Sequence, residues 1–150
     1  MKAVIILLAL GAFASAEPAI RVTNRQFPDG SGSSTEKDSS KRQSVETFFA
    51  PGGKTTHKVL YQLDERMQPL SGIFYDAKGK IYQKSSFRLD VNDRIVQEVI
   101  YDAKGNLICT RNYSYGSRNG KAIVVDVDTY DSEGNLIQTP KQSRTARKTR

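Results

Sequence analysis

The sequence is poor in the residues that most often declare a reaction or a covalent staple. It holds one cysteine, Cys109, one histidine, His57, and no tryptophan. A single cysteine excludes any intramolecular disulfide, so a folded domain must rest on burial and backbone hydrogen bonds. Cys109 sits in the apolar run Leu107-Ile108-Cys109, which predicts a buried, inert thiol. One histidine and one cysteine also exclude the usual zinc ligand sets. His57 lies in a polar stretch two repeats away from Cys109, which argues against a thiol–imidazole nucleophile. A Ser–His–Asp arrangement through His57 would lack any nucleophile-elbow context. Catalytic residues, metal ligands and cofactors are therefore expected to be none, and the chain is read as a non-enzyme.

Long apolar runs are scarce as well. The one present, Ala3 to Phe13, follows Lys2 and precedes Ala14-Ser15-Ala16. A positive start, a short apolar stretch and a small-x-small site form an export signal, here covering residues 1–16. The run is shorter than the roughly 20 apolar residues a bilayer span requires. These features predict a secreted or periplasmic protein without a membrane span. Acidic residues are missing from the last ten positions, which instead carry Lys141, Arg144, Arg147, Lys148 and Arg150. Without those five and Lys2, the formal charge of +7 falls close to neutrality. The basicity is that of a disordered tail at residues 140–150, in which Arg144, Arg147, Lys148 and Arg150 are candidate contacts for an anionic polymer.

The chain does have a repeated phrase. Tyr75-Asp76-Ala77-Lys78-Gly79-Lys80-Ile81 returns as Tyr101-Asp102-Ala103-Lys104-Gly105-Asn106-Leu107 and as Tyr130-Asp131-Ser132-Glu133-Gly134-Asn135-Leu136. Phe49-Ala50-Pro51-Gly52-Gly53-Lys54 is a weaker copy. Gly53, Gly79 and Gly105 are spaced evenly, about a supersecondary unit apart, as in stacked repeats. A second turn falls half a period later, at Asp64-Glu65-Arg66-Met67 and at Asp90-Val91-Asn92-Asp93. In the third unit Tyr115 to Gly120 takes that place and is read as a longer loop. Asp opening a turn and Gly closing it suit hairpins. The flanking segments are rich in β-branched and aromatic residues, and none shows a sustained helical period.

The expected fold is all-β: a twisted antiparallel meander of about seven strands, built from 26-residue double-hairpin repeats over residues 45–139. Residues 17–44 have few apolar side chains and are expected to be a disordered linker, with a short extended piece at Ile20-Arg21-Val22. Alternation in the 81–89 run places Ile81, Ser85, Phe87 and Leu89 on one face and Tyr82, Lys84, Ser86 and Arg88 on the other. An apolar face of this kind must curl, be covered by the N-terminal segment, or pair with another copy through that face or an edge.

The Tyr-Asp-x-x-Gly phrases resemble the YD repeats of RHS-type bacterial surface and toxin proteins over about residues 48–138. The resemblance implies hairpin sheets that wind into shells or bind carbohydrate. The repeated Tyr75, Tyr101 and Tyr130 are then candidate binding rings, since sugars stack on aromatic faces. The acidic run Asp126 to Glu133 lacks the spacing of a calcium loop, and alternation explains Asp126 and Asp128 as solvated positions. The functional expectation is a non-catalytic binding or structural module of the cell envelope or surface. Its partner would be a protein, a glycan or another anionic surface polymer. The alternative is a small secreted enzyme or enzyme inhibitor acting through residues 115–120.

Overall fold

A computed structural model describes residues 19–137. The export signal at residues 1–16 and the basic tail at 140–150, with Arg144, Arg147, Lys148 and Arg150, lie outside the described residues. Ten strands follow one another in chain order: β1 Ile20–Gln26, β2 Gly32–Asp38, β3 Gln43–Phe49, β4 Thr55–Leu63 and β5 Pro69–Asp76, then β6 Ile81–Leu89, β7 Ile95–Asp102, β8 Leu107–Arg118, β9 Lys121–Asp131 and β10 Leu136–Ile137. Each pairs antiparallel with its sequence neighbours, giving one open meander sheet. Among the described residues no helix is present that could cross a membrane.

The all-β expectation holds, with ten strands in place of seven. Two of the additions, β1 and β2, fall in residues 17–44, expected as a disordered linker. They pair residue for residue from Ile20↔Asp38 to Gln26↔Gly32. Few of their side chains are apolar. What orders them is the backbone ladder that β3 offers to β2, which an apolar-content argument does not count. Pro28-Asp29-Gly30 makes their turn, with Gly30 at φ 82° and the Asp29 carboxylate accepting the Ser31 N–H at 3.0 Å. This N-terminal hairpin extends the sheet edgewise and does not cover a face.

Both kinds of turn share one construction. Asp76, Asp102 and Asp131 open turns at one end of the sheet, and Asp64 and Asp90 open turns at the other. In each, the Asp N–H bonds the carbonyl four residues on, and its carbonyl receives the N–H three residues on. The carboxylate then caps the loop: Asp76 accepts from the N–H groups of Lys78 and Lys80, and Asp90 from those of Asn92 and Arg94. Such bonds favour the ionised form. The Arg94 side chain holds Asp90 below the usual carboxylate range, and the Asn106 side chain does the same for Asp102.

The two ends differ at the fourth turn residue, which is left-handed throughout. Gly30, Gly53, Gly79, Gly105 and Gly134 occupy it at one end, but Met67 (φ 62°) and Asp93 (φ 60°) occupy it at the other. A side chain in that conformation costs about 1 kcal/mol or more. Met67→Gly is therefore expected to raise the free energy of unfolding by about 1 kcal/mol, less the entropy glycine adds to the unfolded chain. Equilibrium urea denaturation measures it. A destabilised Met67→Gly variant would show that the methionine side chain contributes more than its backbone geometry costs.

Five consecutive hairpins also carry a bulge on the strand leaving the turn. Thr56, Leu70, Tyr82, Val96 and Ile108 are the extra residues. A bulge re-aims side chains, and this corrects one face assignment. Ile81 pairs with Tyr75, away from Ser85, Phe87 and Leu89, and the Tyr82 ring meets Phe74 edge-on at 6.2 Å.

The residues 115–120 are not a loop. β8 continues to Arg118, and Asn119 and Gly120, at φ 52° and 72°, close a two-residue turn onto β9. Asn-Gly is the strongest short hairpin signal in a sequence, because both central positions need positive φ. The longer third spacing comes from longer strands. A bulge at Val125 also breaks the alternation there, so that Val124 opposes Tyr115 and Ile123 opposes Gly116.

The core is one-sided. Val59, Leu63, Ile100 and Cys109 are the buried apolar residues, with Ser33, Ser44, Ser85 and Glu98 buried beside them. The register places these eight on one face, while the buried Asp38 lies on the other, capping the Ser40 and Lys41 amides of the turn into β3. The other face is not purely polar: its cross-strand row runs Val22, Glu36, Val45, Leu60, Ile73, Lys84, Tyr101, Leu107.

Candidate ligand-binding trough

The buried face is built from cross-strand rows whose sizes do not match. The central row reads Lys37, Ser44, Tyr61, Gly72, Ser85, Ile100, Cys109 across β2 to β8. Short residues on either side of Tyr61 leave its ring free to lie over β5. A Cβ on Gly72 would sit 3.3 Å from both the Phe74 and the Tyr61 rings, so these rings close over the bare glycine backbone. Tyr61 also approaches Phe87 at 6.2 Å between ring centroids. Leu63, Pro69 and Ile95 complete an apolar wall, leaving a trough of about 410 Å³. That volume, apolar lining and small polar complement suit a small-ligand site.

Four charged side chains meet the trough or its border. Glu98 is buried, and its carboxylate accepts the Ser85 hydroxyl and the Tyr113 hydroxyl, each at 2.8 Å. The Arg111 guanidinium lies 3.6 Å from the same carboxylate. Burial, then the hydrogen bond to Glu98, pushes the Tyr113 phenol up to about 12. Burial first, then the nearby charges of Glu46 and Glu98, raises Tyr61 to about 12 as well. Both rings are therefore neutral hydrogen-bond donors at ordinary pH. Lys37 Nζ donates to the Met67 carbonyl at 3.0 Å. Glu46 lines the trough on β3, opposite Val59.

Tyr75, Tyr101 and Tyr130 lie on the opposite face, each half-buried beside a glycine turn. Tyr75 pairs with Lys58, whose ammonium stands 5.0 Å over the ring. Tyr101 opposes Lys84 and Leu107, and Tyr130 opposes Thr110 and Leu136. An intervening strand separates each ring from the next, so they are brought to one face but not into one cluster. His57 stacks on Phe48 at 4.2 Å with its Nδ1 3.0 Å from the Thr56 hydroxyl, outside the trough. Asp126 caps the neighbouring Val127 N–H, and among the described residues no three metal-ligating side chains gather.

The trough residues carry no motif in the sequence, although two signals are present. Gly72 stands inside a strand with no turn beside it, the usual mark of a close approach by another group. Glu46 and Glu98 each interrupt an apolar strand.

No family profile and no curated protein matches the chain. Two solved structures resemble it in shape: S. aureus TarM as a mutant in complex with fondaparinux, alpha-GlcNAc-glycerol and UDP, and TarM in a second crystal structure. The first is 18% identical with a TM-score of 0.37, covering 79% of this chain and 21% of that one. The second is 17% identical with a TM-score of 0.36, over the same shares. The chain thus spans about a fifth of TarM's length, and at these values nothing of TarM's chemistry transfers to it.

Proposed function

We propose that the chain is a secreted or periplasmic, non-catalytic binding module whose ligand-facing surface is the trough. The supporting observation is the aromatic-lined, open depression over Gly72 in a sheet that carries no second layer among the described residues. A face built this way offers apolar area and a few fixed polar groups, which serve binding. The trough would take a small ligand or a single protruding group of a protein, glycan or other surface polymer, with the tail from Lys141 to Arg150 adding attraction to polyanions. Self-association through the apolar face or an edge belongs to the same reading.

The test screens small glycans, peptides and organic solutes by ligand-induced thermal stabilisation, comparing the wild type with Phe87→Ala. Stabilisation that Phe87→Ala abolishes supports the trough. Stabilisation untouched by Phe87→Ala but lost on changing Tyr101 and Tyr130 would move binding to the opposite face. The tail is tested separately: deleting residues 141–150 should lower the salt needed to elute the protein from heparin. Unchanged elution would remove the tail from the proposal.

A further inference from the structure

The rings of Tyr61, Phe74 and Phe87 line the trough, and the faces of such rings carry partial negative charge. Carboxylates stand beside them on both flanks, Glu46 on β3 and Glu98 on β7. Glu98 is already committed to Ser85, Tyr113 and Arg111. Lys37 is turned to the Met67 carbonyl. Among the described residues, no hydrogen-bond or ion-pair partner lies within reach of the Glu46 carboxylate. Of the two trough carboxylates it is the one without a partner, and the Lys37 ammonium, held by a neutral carbonyl, is the trough's own cation. The Tyr61 hydroxyl likewise has no partner among the described residues. Aromatic rings next to a carboxylate free of hydrogen bonds attract organic cations, provided Lys37 stays turned to the Met67 carbonyl.

We infer that the trough takes a small soluble ligand bearing an alkylammonium head, seated against Tyr61, Phe74 and Phe87 with its charge beside Glu46. The inference rests on the trough being the binding surface. A trough of about 410 Å³ matches a compact solute and is short for an extended polymer. The head would exchange its hydration for ring faces, and Glu46 would supply the charge that a neutral apolar group cannot use.

Choline and its uncharged tert-butyl isostere are the probes, titrated into the full chain and followed by isothermal calorimetry and by NMR shifts of the aromatic resonances. Choline is expected to bind about tenfold more tightly than the isostere, the size of a partly desolvated cation–π contact. Shifts should fall on Tyr61, Phe74 and Phe87. Glu46→Gln should shrink the preference several-fold and leave isostere binding in place. Equal binding of choline and isostere would overturn the cation assignment while leaving the trough as an apolar site. Tighter binding of the corresponding tert-butyl carboxylate would overturn it by sign. Retention on phosphatidylcholine vesicles without binding of free choline would overturn the soluble-ligand assignment. If none of the probes perturbs the three rings, the inference fails, while the trough reading stands or falls with the Phe87→Ala screen.

Discussion

Ile100→Ala is expected to cost about 2–5 kcal/mol of unfolding free energy, enough to consume much of the roughly 5–15 kcal/mol a small domain possesses. Ile100 is only 3% exposed, in the row between Ser85 and Cys109. It is one of four buried apolar residues among those described. In a sandwich a second sheet could settle into the resulting gap. Here each strand pairs only with its sequence neighbours, and among the described residues no facing layer lies over this row to relax into it. Ile100→Val, which removes one methyl group, should cost about 1 kcal/mol. Val91→Ala is the control, because Val91 is 91% exposed at a turn and should change nothing measurable. Urea denaturation of the three variants checks the order. A cost below about 1 kcal/mol for Ile100→Ala would mean that this face is not the core of the sheet.

Glu98→Ala should be nearly as damaging, at about 2–3 kcal/mol, because it strips partners from Ser85 and Tyr113 on the buried face. Arg111 is half in solvent and can turn to water, which keeps the loss below that of a fully enclosed ion pair. Glu98→Gln keeps an acceptor for one of the hydroxyls and should lose less. A second readout separates the charge from simple packing. Tyr113 is held at about 12 by burial and then by Glu98, against 10.0 for a free phenol. Its folded pKa is raised, so the stability it contributes is present below pH 10 and lost as pH rises toward 12. Glu98→Ala should move its ultraviolet phenolate titration down, narrowing that alkaline window. If the Tyr113 titration stays put, the Glu98 contact does not hold the phenol.

These two residues show how unevenly the molecule could be read in advance. Ile100 is visible as an apolar strand residue, but the consecutive Val99-Ile100-Tyr101 leaves open which of them faces the core. Glu98 looks from sequence like one more solvated acid, since nothing local reveals that Ser85 and Tyr113 will arrive from neighbouring strands. The turns were legible because their chemistry is local: an Asp carboxylate caps amides two and four residues on, and a left-handed residue closes the loop. The same locality explains the misreading of Tyr115 to Gly120, where the informative pair was Asn119-Gly120 and the residues before it simply prolong a strand.

Sequence by itself determined the antiparallel meander and the alternation of turn ends, because Asp and Gly positions set each hairpin within a few residues of chain. It also placed the break in spacing at the third unit. Only the tertiary structure decided where the sheet begins, which face each bulged residue joins, and that Tyr61, Gly72, Phe74 and Phe87 form one depression. Those outcomes depend on register between strands, and a bulge of one residue reverses a face without leaving a mark in composition. Polar β1 and β2 belong to the sheet for a related reason. Their order is supplied by the hydrogen-bonding edge of β3, which no property of residues 17–44 alone records.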